Sequence, residues 1–265
     1  MLPVESDCRW VQRFGQGSDE SPPLRKFFMI AREQNIALKL VGKAALDNPL
    51  WKDYAGYCFA REAGQRKQAF ECLNRFLASM EQQASGEKQA FASFLFPFFE
   101  TVEAADHGPF PQPLAEQLLR PVLIEWCNQS TADSRPFRWY GAYFNDEDSL
   151  LKALQIDTRD DLARQQLIRR QADSLYFSLH HLPDSYIGDL DQDADLVARL
   201  EDNLEALSCP TAKQSWKQKL ASDLEIFHNY QLWHRSGHAN LEQWGIENNK
   251  PVGYSTGAAY YYSKD

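Results

Sequence analysis

The sequence predicts an all-α protein built of stacked antiparallel helix pairs, arranged as a superhelix or bundle, with little or no β structure. Apolar residues recur at helical spacing along most of the chain, and no segment alternates convincingly between apolar and polar residues. Pro and Gly interrupt this pattern at intervals that suit helices of ordinary length. Aromatic residues make up 13% of the chain, and such large side chains suit the junctions between packed helices.

The chain divides by pattern into an arm, a helical domain and a tail. Residues 1–23 show no sustained period and predict an irregular arm. Residues 24–250 predict one helical domain, in which the proline-rich stretch 107–113 marks a linker and a candidate internal boundary. Residues 251–265 form a tail rich in Tyr and Gly. Because a solvated chain end is normally polar, we expect this tail to pack on the chain's own helices or, alternatively, on a partner.

Helix boundaries within the domain follow the residues that break helices. Pro121 lies inside a helix predicted over 114–128 and indicates a kink or a restart there. The other boundaries fall at Asn48-Pro49, Gly64, Gly86, residues 109–113, Pro136, Pro183 and Pro210. The predicted core consists of large side chains, namely Trp51, Tyr54, Leu73, Phe76, Phe94, Leu118, Phe137, Tyr140, Leu154 and Leu175.

Charge and cysteine usage limit the classes of function. The net charge is −9 at pH 7, so the field of the protein would repel a phosphate backbone and a nucleic acid is a poor partner. A protein or peptide, particularly a basic one, suits this charge. The 5 cysteines are scattered and lack CxxC spacing, which predicts reduced thiols in a cytoplasmic protein.

The sequence predicts neither a membrane segment nor a cofactor. The most apolar stretch, residues 91–99, contains a proline and is too short to cross a bilayer. The first residues lack the basic flank and apolar core of a signal peptide. No phosphate-cradling glycine loop, dinucleotide fingerprint or HExxH motif occurs. We therefore expect a cytoplasmic protein without a cofactor.

Two stretches have the spacing of the first helix of a helical repeat. One is Phe137-x2-Tyr140-Gly141-x2-Phe144, and an imperfect copy is Trp51-x2-Tyr54-Ala55-x2-Cys58. With the residues that follow, they resemble tetratricopeptide repeats over about 50–78 and 137–158. The resemblance implies helix pairs that bury their apolar faces by stacking, and a concave groove that binds peptides or partner proteins.

A second resemblance covers the C-terminal half of the chain. Its phrases lie at 136–141, 180–188 and 244–254. They resemble uncharacterised bacterial proteins with degenerate helical repeats. This resemblance implies helical repeats and no particular activity.

A histidine pair is the best catalytic candidate. His180 and His181 lie near the end of an apolar helix, and Asp184 follows them. An imidazole buried beside Asp184 or Tyr186 could serve as a general base, because its pKa lies near neutrality. The alternative is a hydrogen-bonded core histidine without a catalytic role.

Alternating aspartates give a partial calcium-loop pattern. Asp189, Asp191 and Asp193 have the spacing of the first oxygen ligands. Ala194 and Leu200 stand where the glycine and the closing glutamate of such a loop belong. The alternative is a solvated turn whose aspartates cap the next helix.

A second candidate metal pair is His234 and His238, which are four residues apart and would share one face of a helix. Gly237 lies between them and predicts instead that the helix ends there. On that alternative, His234 and Arg235 interact with the negative C-terminal end of the helix.

Arg138 and Trp139 are the predicted binding residues, because Arg and Trp are favoured at binding hot spots. In the repeat register, Phe137 and Tyr140 face the core, which turns Arg138 outward. Trp139 lies either in the core or at its rim in that register.

These features predict a protein-binding helical scaffold that has no catalytic activity of its own. The first alternative is an immunity protein or antitoxin, because an acidic surface can occlude the basic active site of a toxin. The second alternative is a histidine-based enzyme or a metal-binding protein.

Overall fold

The computed structural model describes residues 37–101, 108–129 and 132–254. Within these ranges all regular secondary structure is helical and no residue belongs to a strand, which confirms the all-α prediction. None of the described helices is both long and apolar enough to span a bilayer. The predicted arm over 1–23 lies outside the described residues.

The described part of the chain forms two compact units, and the division falls between Leu162 and Ala163. We call the described residues up to Leu162 the N-terminal unit and those from Ala163 to Tyr254 the C-terminal unit. The helical domain predicted over 24–250 spans both units. Each unit has its own hydrophobic core.

The stretch predicted as an internal boundary is part of the N-terminal unit. The hydroxyl of Tyr54 donates to the carbonyl oxygen of Pro109 at 2.6 Å, and that of Tyr57 donates to the carbonyl oxygen of Gly108 at 2.6 Å. Two hydrogen bonds from one buried helix therefore hold this proline-rich segment against the core, which the prolines alone could not reveal.

The N-terminal unit consists of helices whose ends are determined by local sequence. The side chain of Asn48 accepts from the Leu50 amide at 3.0 Å, and Pro49 starts the next turn. A π-helical segment, Ala115–Leu119, precedes Pro121 and confirms the predicted interruption. The helices are α1 (described over 37–45), α2 (Lys52–Glu62), α3 (Arg66–Glu81), α4 (Ser85–Thr101), α5 (Gln112–Leu114), α6 (Arg120–Asn128), α7 (Arg135–Phe144) and α8 (Glu147–Ile156).

Both stretches with repeat spacing form helix pairs. α2 packs on α3, and α7 packs on α8. Tyr54 contacts Phe76 while Tyr57 contacts the earlier Phe70, so α2 and α3 run antiparallel. Membership of the tetratricopeptide repeat family stays a prediction.

Glycine is required where α7 meets α8. A Cβ atom on Gly141 would lie 2.6 Å from Cγ of Leu150, which is closer than any real contact of that kind. The small residue of the repeat spacing therefore allows the two helices to approach closely.

Most of the predicted core is buried, but four of its members are only half-buried. These are Phe94, Phe137, Tyr140 and Leu154. In α7 the reason is a rotation of the helix, because Trp139 takes the inward position at 1% exposure.

Over residues 163–254, the C-terminal unit has four helices and a closing segment. Its helices are α9 (Asp161–Leu179, apart from the first two residues), α10 (Leu190–Glu205), α11 (Pro210–Ser236) and α12 (Leu241–Asn248). After α12 the chain packs back onto its own helices, as Asn229 Nδ2 donates to the Pro251 carbonyl at 2.8 Å and Val252 is buried. This confirms packing on the chain's own helices for residues 251–254, whereas Tyr260, Tyr261 and Tyr262 lie outside the described residues.

Candidate functional site

Arg138 and Trp139, the predicted binding residues, point into the N-terminal unit. Trp139 stacks on Phe96 with ring centroids 5.1 Å apart. The side chain of Arg138 is 12% exposed. The expected outward orientation of Arg138 is therefore wrong, and Phe137, expected inside, is half-buried.

Two carboxylates hold Arg138 in this inward position. Its Nε donates to Glu100 Oε1 at 2.7 Å, and its Nη1 donates to Asp160 Oδ2 at 2.5 Å. Trp139 Nε1 donates to the same Glu100 oxygen at 2.7 Å, and Ser134 Oγ donates to Asp160 Oδ2 at 3.0 Å. Burial lowers the pKa of the Arg138 guanidinium, but the charges of Glu100 and Asp160 outweigh it and raise that pKa above its usual value. The cluster fixes α7, and a binding role for Arg138 and Trp139 stays a prediction.

The candidate catalytic histidines are not buried, although a general base of the predicted kind requires a buried imidazole. His181 and Asp184 are exposed, and His180 is half-buried. His180 Nδ1 lies 2.7 Å from the carbonyl oxygen of Phe177, so this nitrogen carries the proton in the contact. Its ring contacts the rings of Tyr176 and His181. These are the contacts of an aromatic surface cluster, not of a buried general base.

The predicted calcium-loop aspartates take different roles. Asp189 is the N-cap of α10, and its Oδ1 accepts from the amides of Asp191 at 3.1 Å and Gln192 at 3.0 Å. Asp193 points into the C-terminal unit at 8% exposure and accepts from the hydroxyl of Tyr186. The capping interpretation is confirmed for Asp189, whereas Asp193 is not in a solvated turn.

His234 and His238 lie on either side of a helix end. Gly237 has a φ of +72° and is the C-cap of α11, with His234 in the last turn. His238 Nε2 lies 3.6 Å from Glu247 Oε2. Gly237 thus ends α11, as the capping alternative predicts. Among the described residues no group of three or more His, Cys, Asp or Glu side chains is placed to hold a metal ion.

The aromatic surface cluster at the end of α9, which we call the aromatic patch, consists of Tyr176, Phe177, His180, His181 and Tyr254. Tyr176 is 52% exposed and Phe177 is 61% exposed. The ring of His180 lies 5.6 Å from that of Tyr176, 5.5 Å from that of Phe177 and 4.2 Å from that of His181. Tyr254 extends the group, since its ring lies 5.5 Å from that of Tyr176. The rings therefore form one continuous group, of which Tyr176, Phe177 and His181 are exposed.

The aromatic patch was not predicted from the sequence, although the sequence contains a signal for it. Leu175, Leu179 and Leu182 are spaced four and three residues apart and are all buried, so they define the inner face of α9 and of the turn that follows it. Tyr176 and Phe177 fall on the other side of the helix. An apolar helix end with a complete inner face and further aromatic residues outside it indicates an exposed aromatic surface.

A shallow pocket adjoins the aromatic patch at Phe177. We call it the acidic pocket; it is lined by Asp173, Ser174, Phe177, Ser178, Gly188, Asp189, Gln192 and Asp193. None of these residues is basic. A side chain at Gly188 would overlap the Asp193 carboxylate and the Ser178 hydroxyl, so the wall of the pocket requires glycine there.

The inner wall of the acidic pocket is kept in place by Tyr186. Burial, and then the hydrogen bond to Asp193, raise the pKa of the Tyr186 hydroxyl far above its usual value. A tyrosine hydroxyl is protonated at neutral pH in any case, and the raised pKa of Tyr186 extends its hydrogen bond to Asp193 into alkaline solution. Its ring also stacks on that of Tyr230, with centroids 4.4 Å apart.

Comparisons of the chain with protein-family models, curated proteins and solved structures give no match. The chemistry of the chain's own surface is therefore the basis for assigning a function.

Proposed function

We propose that this protein is a binding module that recognises another protein through the aromatic patch. The observation that carries the proposal is the exposure of Tyr176 and Phe177, 52% and 61% respectively, within a continuous group of rings. Large exposed aromatic side chains that lie side by side are unfavourable in water, and aromatic side chains are enriched where proteins bind one another.

The helical scaffold suits this role because it holds the patch rigidly. The inner face of α9 is fixed by Leu175 and Leu179, both 0% exposed. Tyr and Phe have only two side-chain torsions, so they lose little conformational entropy when a partner covers them. A rigid helix carrying aromatic side chains therefore binds at a low entropic cost.

An immunity protein or antitoxin is a special case of this proposal, in which the partner is a toxin with a basic active site. The net charge of −9 favours that alternative. A toxin gene next to this one would support it, whereas co-expression that leaves such a toxin fully active would exclude it.

Affinity capture from a lysate of the source organism, with the full chain as bait, tests the proposal. We compare the wild type with the double variant Tyr176→Ser/Phe177→Ser. The matched control is Leu232→Ser/Ile246→Ser, which also removes two exposed apolar side chains, 45% and 77% exposed, from the same unit. Thermal melting establishes that all three proteins are folded.

The pattern of capture decides the outcome. A partner retained by the wild type and the control, lost by the patch variant, and confirmed by titration of the two purified proteins supports the proposal. A partner retained by all three proteins, or lost equally by both variants, contradicts it. No stable partner across several growth conditions also counts against it.

A further inference from the structure

We propose that the partner docks a basic segment on the aromatic patch and places a Lys or Arg side chain in the acidic pocket. This inference rests on the proposed function and specifies the chemistry of the partner. Phe177 provides the link, because its ring belongs to the patch and also lines the pocket. A segment that lies across the patch therefore passes the mouth of the pocket.

The charge of the pocket selects the occupant. Asp173 on α9 and Asp189 at the start of α10 are exposed, and Asp193 lies behind them. The N-terminal end of α10 contributes only about half a positive elementary charge, which three carboxylates exceed. The pocket is therefore negative and attracts a cation.

A long basic side chain suits both parts of this surface. Its hydrocarbon stem can pack on apolar surface while its charged end remains among polar groups. A cation near the face of an exposed ring such as Phe177 gains a further cation–π attraction. A purely apolar segment would remove water from the carboxylates without replacing their interactions, which is unfavourable, and an anionic segment would be repelled.

Binding of labelled synthetic peptides to the full chain tests the inference. The probe is a short peptide of Lys, Leu and Phe residues, and its two comparison peptides carry Glu or norleucine in place of every Lys. Fluorescence polarisation is measured at about 0.15 M ionic strength, where the Debye length is about 8 Å. We expect saturable binding of the Lys peptide only.

Two matched charge variants locate the binding. Asp173→Asn/Asp189→Asn removes two charges from the pocket, and Asn at position 189 still caps α10. Asp195→Asn/Asp202→Asn removes two charges from exposed positions of α10 outside the pocket. We expect the first pair to weaken binding of the Lys peptide about 5- to 10-fold and the second about 2-fold or less.

The outcomes separate this inference from the proposed function. Three results overturn the inference that the partner docks a basic segment. They are equal weakening of binding by the two charge variants, equal binding of the norleucine and Lys peptides, and no saturable binding of the Lys peptide. The proposed function survives each of these if capture of a partner still depends on Phe177. A further variant lacks residues 255–265. If it binds the Lys peptide at least about tenfold more tightly than the full chain does, the chain's own tail is the occupant of the site, and this result also overturns the inference.

Discussion

The two units differ in how far certain aromatic side chains are buried. In the N-terminal unit, Phe91, Phe96 and Trp139 are at most 1% exposed and fill the interior. In the C-terminal unit, Tyr176 and Phe177 are 52% and 61% exposed. Buried rings stabilise a fold because their apolar area is removed from water, whereas exposed rings retain that area for a partner. Aromatic content alone therefore does not distinguish a residue that stabilises from one that binds.

The units also differ in how they accommodate a buried carboxylate. Asp160, 5% exposed, is paired with the charged guanidinium of Arg138. Asp193, 8% exposed, accepts from the neutral hydroxyl of Tyr186. A charged partner compensates a carboxylate that is fixed within a core. A neutral partner leaves the negative charge of Asp193 available to the acidic pocket.

The largest difference in the free energy of unfolding is expected between a variant that removes a buried ring and one that removes an exposed ring. Trp139→Ala should lower the free energy of unfolding by about 3–5 kcal/mol, because it leaves a cavity beside Phe96 and removes a hydrogen bond to Glu100. Phe177→Ala should change it by about 0.5 kcal/mol or less. Urea unfolding of the full chain, followed by circular dichroism, measures both. Similar losses in the two variants would contradict the comparison.

The next effect on stability is expected at the charged cluster of Arg138, Glu100 and Asp160 in the N-terminal unit. Arg138→Met should destabilise the protein by about 3–5 kcal/mol, because it leaves Glu100 and Asp160 without their cation. Arg75→Met is the control; its side chain is 58% exposed and pairs with Asp53 at the surface, so we expect no measurable loss. Urea midpoints of the two variants test this, and an Arg138→Met protein as stable as the control would show that the cluster does not stabilise α7.

Helix ends could be predicted from the sequence, whereas the buried face of α7 could not. Helix ends at Asn48-Pro49, Gly64 and Gly237 were predictable, since capping and left-handed backbone depend on adjacent residues. The buried face of α7 was not predictable, because aromatic residues lie on several of its sides. The hydrogen-bond partners of Arg138 determine which face of α7 is buried. These partners, Glu100 and Asp160, lie 38 and 22 residues away in the sequence.

The candidate site was partly predictable for the same reason. Asp193 precedes Val197, Leu200 and Leu204 by four, seven and eleven residues, so helical spacing places it on the buried face of α10. The acidic pocket was not predictable, because Asp173 and Asp189 belong to different elements and only folding brings them together.

A pair of glycines provides a smaller test of packing in the N-terminal unit. Gly141→Ala should cost about 1–3 kcal/mol, because the new methyl group would push α7 away from Leu150. Gly86→Ala meets nothing within 4 Å and should be neutral or stabilise α4 by up to about 1 kcal/mol. Melting temperatures of the two variants should therefore shift in opposite directions or, at least, by clearly different amounts. An unchanged Gly141→Ala protein would mean that the α7–α8 contact is loose.

The smallest expected effect is a loss of stability at alkaline pH. It depends on the hydroxyls of Tyr186 and Tyr254, which donate to carboxylates in the C-terminal unit. Burial, and then hydrogen bonds to Asp193 and Asp223, raise the pKa values of Tyr186 and Tyr254. Because the folded state favours the protonated hydroxyls, their contribution is complete below the unfolded pKa of about 10 and is lost as pH rises above it. Tyr186→Phe/Tyr254→Phe should therefore lose stability less steeply than the wild type above about pH 10. Melting temperatures measured across this range test the slope, and parallel curves would contradict it.

The closing segment of the C-terminal unit affects the order in which the chain can fold during synthesis. A ribosome that has added Leu162 has supplied every residue of the N-terminal unit. The C-terminal unit still lacks Val252, which is buried against Gly245, and Pro251, which binds Asn229. Since domains fold as units as they emerge, the N-terminal unit can be complete while the C-terminal unit remains open. A nascent chain stalled before Val252 would therefore carry one finished core and one unfinished core.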